Sequence, residues 1–188
     1  MKDYHLILAS KSPRRQELLE NIVSNFTIRL KEIEEVYPED LPVKEVPEYL
    51  ARLKAEAFKA DMKANEIILT SDTIVTLDNK IYGKPKDRQD AIRILQELSG
   101  KVHEVITGVF LMSISKEFSF KEITKVHFKT LSLEEIEYYI DTFEPYDKAG
   151  AYAIQEWIGM IGIKKIEGDY FNVVGLPLFE LNEALKKF

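Results

Sequence analysis

The chain has 188 residues, 45% hydrophobic and 31% charged, with a formal net charge of −6. This is the composition of an ordinary folded protein long enough to bury a core, and its acidic balance excludes broad nucleic-acid binding, which needs many phosphate-neutralising Lys and Arg. There are no cysteines, which excludes disulfides and thiolate metal sites and makes a reducing, cytoplasmic setting the expectation; no apolar run reaches the length of a membrane span, and the first one is too short for a signal peptide.

Residues 5–9 read as a buried strand, and Pro13 opens a helix whose stripe of Leu18, Leu19, Ile22 and Val23 carries it to about Ser24. Phe26 to Leu30 alternates as a strand, and a loop with Glu32-Ile33-Glu34-Glu35 and Pro38, Pro42 and Pro47 follows. A second helix is predicted from about Pro47 to Lys63, with Leu50, Leu53 and Ala57 on one face. Ile67 to Thr70 is a strand leading to Ser71-Asp72-Thr73 and continuing extended to Leu77, which places Asp72 at a strand end or bend. After a turn at Asp78-Asn79-Lys80 and the Gly83-Lys84-Pro85 stretch, a third helix runs from about Asp87 to Leu98 and stops at Ser99-Gly100. Val102 to Ile114 and Phe118 to Thr130 read as a long hairpin joined around Ser115-Lys116. A capping box, Ser132 to Glu135, starts a helix to about Thr142; a strand-like Ile161 to Ile166 and a last helix from about Pro177 complete the chain. There is no internal repeat, low-complexity segment or linker. The expected architecture is mixed α/β, in two lobes with a cleft between them.

The first strand runs into Ser10-Lys11-Ser12-Pro13-Arg14-Arg15. A strand end, a hydroxyl-rich turn and two arginines at a helix start form an anion site, because the first N–H groups of a helix carry the positive end of its dipole and guanidinium forks match phosphate oxygens. Asp72, between two hydroxyl residues, is placed to orient a water or hold a divalent cation, or else to bond its own turn. Lys84, between a glycine and a proline, reads as a phosphate contact or a solvated turn residue. Lys54 on its own reads as surface decoration, and Glu34 and Glu35 as the source of a metal ligand or as a solvated acidic loop. Gln155 carries an amide that both donates and accepts, suited to a base edge or to an ordinary turn. Among three histidines none is paired at ligand spacing, and His103 and His127 read as packing or surface residues. No P-loop, dinucleotide fingerprint, zinc-protease motif, nucleophile elbow or thiol is present, which argues against covalent catalysis.

Taken in order and spacing, Ser10 to Arg15, Ser71-Asp72-Thr73, Gly83-Lys84-Pro85, Asp147-Lys148-Ala149-Gly150-Ala151-Tyr152 with Ile154-Gln155, and Gly168-Asp169-Tyr170 through Gly175-Leu176-Pro177 resemble the Maf family over nearly the whole chain. The resemblance implies one Maf-like domain over residues 1–188, in the elongated, two-lobed mixed-sheet fold shared with inosine triphosphate pyrophosphatases. It implies hydrolysis of a small-molecule nucleoside triphosphate to the monophosphate and pyrophosphate with a divalent cation, Mg²⁺ or Mn²⁺, and a house-cleaning role against non-canonical or surplus nucleotides. Nucleic acid and membrane are not expected partners, and a homodimer is compatible with the family. By position, Asp72 would be the catalytic carboxylate and a metal ligand, with Glu34, or alternatively Glu35, as the other. Ser10, Arg15, Lys54 and Lys84 would bind the triphosphate. Arg14, Thr73 and Gln155 match the positions that go with dTTP and UTP. The alternatives are a purine-directed ITP/XTP pyrophosphatase and a non-catalytic, nucleotide-binding regulator of septum formation. The sequence departs from the family pattern at Ser71, where Ala or Gly is usual, at Ala153, and at Glu156-Trp157-Ile158.

Overall fold

Alternation of apolar side chains around a buried strand sets the frame. In the computed structural model, which describes residues 4–188, β1 (His5–Leu8) lies parallel to β2 (Phe26–Ile28) and to β3 (Glu66–Leu77), with Leu6 opposite Phe26 on one side and Ile67 on the other. Together with β4 (Lys80–Tyr82), β5 (Val102–Met112), β6 (Glu117–Phe128) and β7 (Ile163–Glu167) they make a seven-stranded mixed sheet, ordered β2-β1-β3-β5-β6-β7 with β4 antiparallel to β3. The mixed α/β expectation holds. Among the described residues seven α-helices complete the fold: α1 (Pro13–Glu20), α2 (Val46–Glu56), α3 (Arg88–Leu98), α4 (Leu133–Phe143), α5 (Trp157–Gly162), α6 (Tyr170–Val174) and α7 (Leu178–Leu185). Among the described residues no helix is long and apolar enough to cross a membrane.

The chain divides into two compact units. One comprises the residues up to Asp72 with Thr107–Glu122 and Gly175–Phe188; the other comprises Thr73–Ile106 and Ile123–Val174. In the first unit the period of two along each strand sorts the core into two layers. Leu6, Leu8, Ile67, Leu69, Val109 and Leu111 bury one face against Leu19 of α1 and Leu181 and Leu185 of α7. Ile7, Ile68, Phe110 and Met112 bury the other against Ala51, Ala55 and Phe58 at α2. In the second unit, Val75, Val105, Val126 and Phe128 pack on Leu95 and Leu98 of α3 and Ile136, Tyr139 and Ile140 of α4. Asp87 caps α3 by accepting the Asp90 N–H at 2.9 Å, and Ser132 and Glu135 close the predicted capping box of α4.

Several boundaries differ from the sequence reading. α1 stops at Glu20 because the Asn21 side-chain amide donates to the Glu17 carbonyl at 2.7 Å, competing with the helical ladder. α2 ends at Glu56, short of Lys63, where Phe58 N–H and Lys59 N–H bond three residues back and tighten the chain, and Phe58 turns into the core. The strand read over 161–166 is present as β7 from Ile163, while its first two residues, 161 and 162, end α5 (Trp157–Gly162). The glycines of α5 weaken the helical signal, but Gly159 is required there, because a Cβ would come within 1.8 Å of the Ile154 carbonyl oxygen.

Candidate active site

Asp72 does not sit at a strand end or bend. It lies inside the continuous twelve-residue strand β3. A polar Ser-Asp-Thr triplet looks like a turn, yet here the ladder runs through it, and Thr70 and Asp72 share one face of the strand. The Thr70 hydroxyl donates to the Ala51 carbonyl of α2 at 2.6 Å. Three residues on, one helical turn away, Lys54 donates from Nζ to Asp72 Oδ1 at 2.5 Å. The Thr70 latch therefore sets which residue of α2 meets the aspartate. A second constraint is Gly108 of β5: a Cβ there would stand 2.3 Å from the Glu48 nitrogen and 2.4 Å from the Pro47 carbonyl carbon. Only glycine lets the start of α2 approach the strand this closely.

Lys54 also pairs with Glu35, Nζ to Oε1 at 3.1 Å. The side chains of Lys54 and Asp72 are only 16% and 14% exposed, so this is a partly desolvated cluster in which each charge matters more than on an open surface. Of the adjacent acids Glu34 and Glu35 on the loop after β2, the structure brings Glu35 into the cluster. Glu34 is exposed and its carboxylate makes none of these contacts.

Ser10 and the α1 start stand in the same unit. Ser10 is buried, its hydroxyl accepts the Ser12 N–H at 3.2 Å, and its carbonyl accepts from the Gln16 amide. Arg15 is aimed by two main-chain acceptors. Its Nε donates to the Gly175 carbonyl at 2.8 Å and its Nη1 to the Ser71 carbonyl at 2.9 Å, the residue before Asp72. Burial lowers the proton affinity of this guanidinium, Asp72 opposes that, the like charge of Arg14 adds to it, and Glu35 opposes it. Ser10, Arg14, Arg15, Glu35, Lys54 and Asp72 thus belong to one unit, with Arg15 feeling the charges of Arg14, Glu35 and Asp72. Ser71 Oγ is buried with no hydrogen-bond partner among the described residues, so the hydroxyl that replaces the smaller residue adds no bond there.

Thr73, Lys84 and Gln155 fall in the second unit. Thr73 is half-buried, while Lys84 and Gln155 are exposed. The Gly83 carbonyl accepts the Gly150 N–H at 3.1 Å, but nothing lies within 4 Å of a Cβ built on Gly83. No part of the protein therefore crowds this glycine. Trp157 packs edge-on against Tyr138 with ring centroids 4.8 Å apart and rests on the core of its unit.

What this arrangement can do follows from its charges. Fixed cations beside a strand-borne carboxylate can gather an anionic substrate and orient a water next to it. Among the described residues no group of three or more acids and histidines stands ready as a metal cage. Two carboxylates meeting at one ammonium fit instead the habit of Mg²⁺, which takes one or two carboxylates and completes its shell with substrate phosphate oxygens and water.

Sequence reasoning missed the Thr70–Ala51 latch and the role of Gly108. The second had a signal, since a lone glycine inside a β-rich run marks a close backbone approach. It also gave no role to the Tyr139–Glu156 pair beside Gln155.

Comparison with known proteins places the chain among its relatives. A dTTP/UTP pyrophosphatase of Flavobacterium psychrophilum is 54% identical over 172 residues, covering 92% of this chain and 88% of that protein. A dTTP/UTP pyrophosphatase of Phocaeicola vulgatus is 50% identical over 188 residues, covering 100% and 97%. Among solved structures, a HAM1 protein from Coxiella burnetii matches with a TM-score of 0.56 over 98% of this chain and 100% of that one, a likeness of fold at 15% identity. The model of the Maf-like protein family matches residues 5–188, and with it the chain belongs to the Maf family.

Proposed function

We propose that the protein hydrolyses nucleoside triphosphates, dTTP and UTP before others, to the nucleoside monophosphate and pyrophosphate, and so removes surplus or non-canonical nucleotides. The observation that carries this is the convergence of Lys54, Asp72 and Glu35 next to an Arg15 locked on the Ser71 and Gly175 carbonyls. The names of the Flavobacterium and Phocaeicola relatives supply the substrate class.

In this reading Ser10, Arg15, Lys54 and Lys84 bind the triphosphate, and Arg14, Thr73 and Gln155 select the base. Asp72 orients a water toward the α-phosphorus and takes its proton. The new bond is from water oxygen to phosphorus, the bond to the bridging oxygen breaks, and pyrophosphate leaves with the electron pair. Arg15 is held by main-chain carbonyls beside the place where negative charge grows, so it needs little reorganisation in the transition state. Asp72 and Glu35 would hold the divalent cation, with Glu34 as the neighbouring carboxylate; when bound, the cation lowers the pKa of water and offsets phosphate charge. Substrate arrival would give the Lys54 ammonium phosphate oxygens in exchange for carboxylates, releasing both acids for the cation.

The test is product analysis with purified protein, Mg²⁺ or Mn²⁺, and dTTP, UTP, CTP, 7-methyl-GTP and ITP. The expected result is pyrophosphate with TMP or UMP, fastest from dTTP or UTP, and none after chelation of divalent metal. Release of pyrophosphate from ITP alone would overturn the base assignment, and none from any nucleotide would overturn the reaction.

A further inference from the structure

The residue after Gln155 is a carboxylate in an unusual place. Glu156 accepts a hydrogen bond from the hydroxyl of Tyr139, a residue of α4 with no exposed surface, and pairs with the nearly buried ammonium of Lys148 at 3.4 Å. A carboxylate half-buried in this way costs free energy unless its partners offset it. What the partners achieve is visible in the main chain. The Glu156 N–H donates to the Ala153 carbonyl at 3.1 Å, closing a turn with Ile154 and Gln155 at its two central positions. The Tyr139 oxygen that donates to Glu156 also accepts the Ala153 N–H at 3.1 Å. One buried hydroxyl therefore grips both ends of the turn. Beyond it, the Gly159 N–H donates to the Glu156 carbonyl at 2.9 Å, and Gly159 backs directly onto the Ile154 carbonyl. Ile154 is buried and Gln155 is the exposed residue of the four. Burial and the Glu156 charge both raise the Tyr139 pKa, so the hydroxyl keeps its proton and remains a donor.

We infer that Glu156 is a positioning residue, which through Tyr139 and Lys148 fixes the 153–156 turn and so presents Gln155 for discrimination of the nucleotide base. The inference rests on the base-selecting role proposed for Gln155. It assigns base preference to a network that need not touch the nucleotide: loosening the turn changes how Gln155 is offered and leaves the phosphate-binding residues unaltered. A looser reader weakens binding of the preferred base more than it slows bond cleavage, so the effect belongs in KM and in the substrate ratio.

The experiment compares Glu156→Ala and Glu156→Gln with the unaltered protein, measuring kcat and KM for dTTP, UTP and ITP and the melting temperature of each. Glu156→Ala is expected to raise KM for dTTP and UTP about tenfold, hold kcat within about twofold, and reduce the preference over ITP by a similar factor. Glu156→Gln keeps an oxygen for the Tyr139 hydroxyl and is expected to restore KM to within about twofold. Unchanged KM and preference in Glu156→Ala would overturn the inference, as would an equal loss of kcat on all three nucleotides, the mark of a smaller folded fraction. If Glu156→Ala does not fold, Tyr139→Phe removes only the hydroxyl and must show the same loss of preference; an unchanged ratio there overturns the inference. Failure of the underlying reading is separately visible, because the unaltered protein would then show no preference for pyrimidine triphosphates, and both ideas would fall before any variant was compared.

Discussion

At the scale of single residues, Asp72 separates charge from geometry. Its carboxylate is held by Lys54 at 2.5 Å, and the same ammonium keeps Glu35 at 3.1 Å. Asp72→Asn preserves shape and a hydrogen-bond acceptor but removes the base. Lys54 retains one carboxylate partner, so the expected change in stability is small, within about 1–2 kcal/mol, while kcat on dTTP is expected to fall about a thousandfold. A steady-state assay beside a thermal melt checks both, and full turnover would remove Asp72 from the reaction. How much of this was legible differs from residue to residue. The strand, turn and helix start around Ser10 to Arg15 could be read directly, because they follow one another in the chain. Lys54 could not, since a lysine on a helix looks like decoration until Thr70 and Ala51 fix which face meets β3. Glu34 and Glu35 stand side by side on a loop with no periodicity to choose between them; the choice depends on where Nζ of Lys54 arrives.

Secondary-structure elements carry those side chains, and the weak point of α2 is its contact with β5. At Gly108 the backbone atoms of Pro47 and Glu48 fill the space of a Cβ. Backbone cannot swing aside as a flexible side chain can, so Gly108→Ala must displace the start of α2. The expected cost is about 3 kcal/mol, with a fall in kcat because Lys54 travels with the helix. Gly83→Ala is the matched control, since an added methyl there meets nothing within 4 Å and should leave the melting temperature in place. Equal melting temperatures for the two variants would show that α2 tolerates the shift. The elements themselves were largely readable where one face is apolar, as in α3 and α4, whose predicted starts and caps are present. They were misread where local chemistry and tertiary packing disagree: a polar triplet inside β3, a glycine-bearing α5, and an α2 that ends seven residues early so that Phe58 can enter the core.

On the scale of the molecule, each unit has its own buried cluster, and the second contains a titratable group that burial keeps neutral. His103 is 1% exposed, its Nε2 lies 2.7 Å from the Tyr152 hydroxyl, and its Nδ1 has no partner among the described residues. Burial, aided by the charge of His127, holds its pKa down to about 3 from an ordinary 6.5. Below pH 6.5 the unfolded chain therefore binds a proton that the folded chain refuses, so stability falls as pH drops from 6.5 toward 3. One such group contributes about 1.4 kcal/mol per pH unit, or roughly 2 kcal/mol by pH 5. The chain's single tryptophan, Trp157, packs on the same core, so its fluorescence during urea unfolding reports on the unit that contains His103. Unfolding curves at pH 7, 6 and 5 should show this loss in the unaltered protein. His103→Gln offers an amide to the Tyr152 hydroxyl but takes up no proton, and its stability should vary less between pH 6.5 and 5, by close to one proton. Identical slopes for the two proteins would mean that His103 gains its proton as readily when folded as when unfolded, and that the packing around it admits the charge.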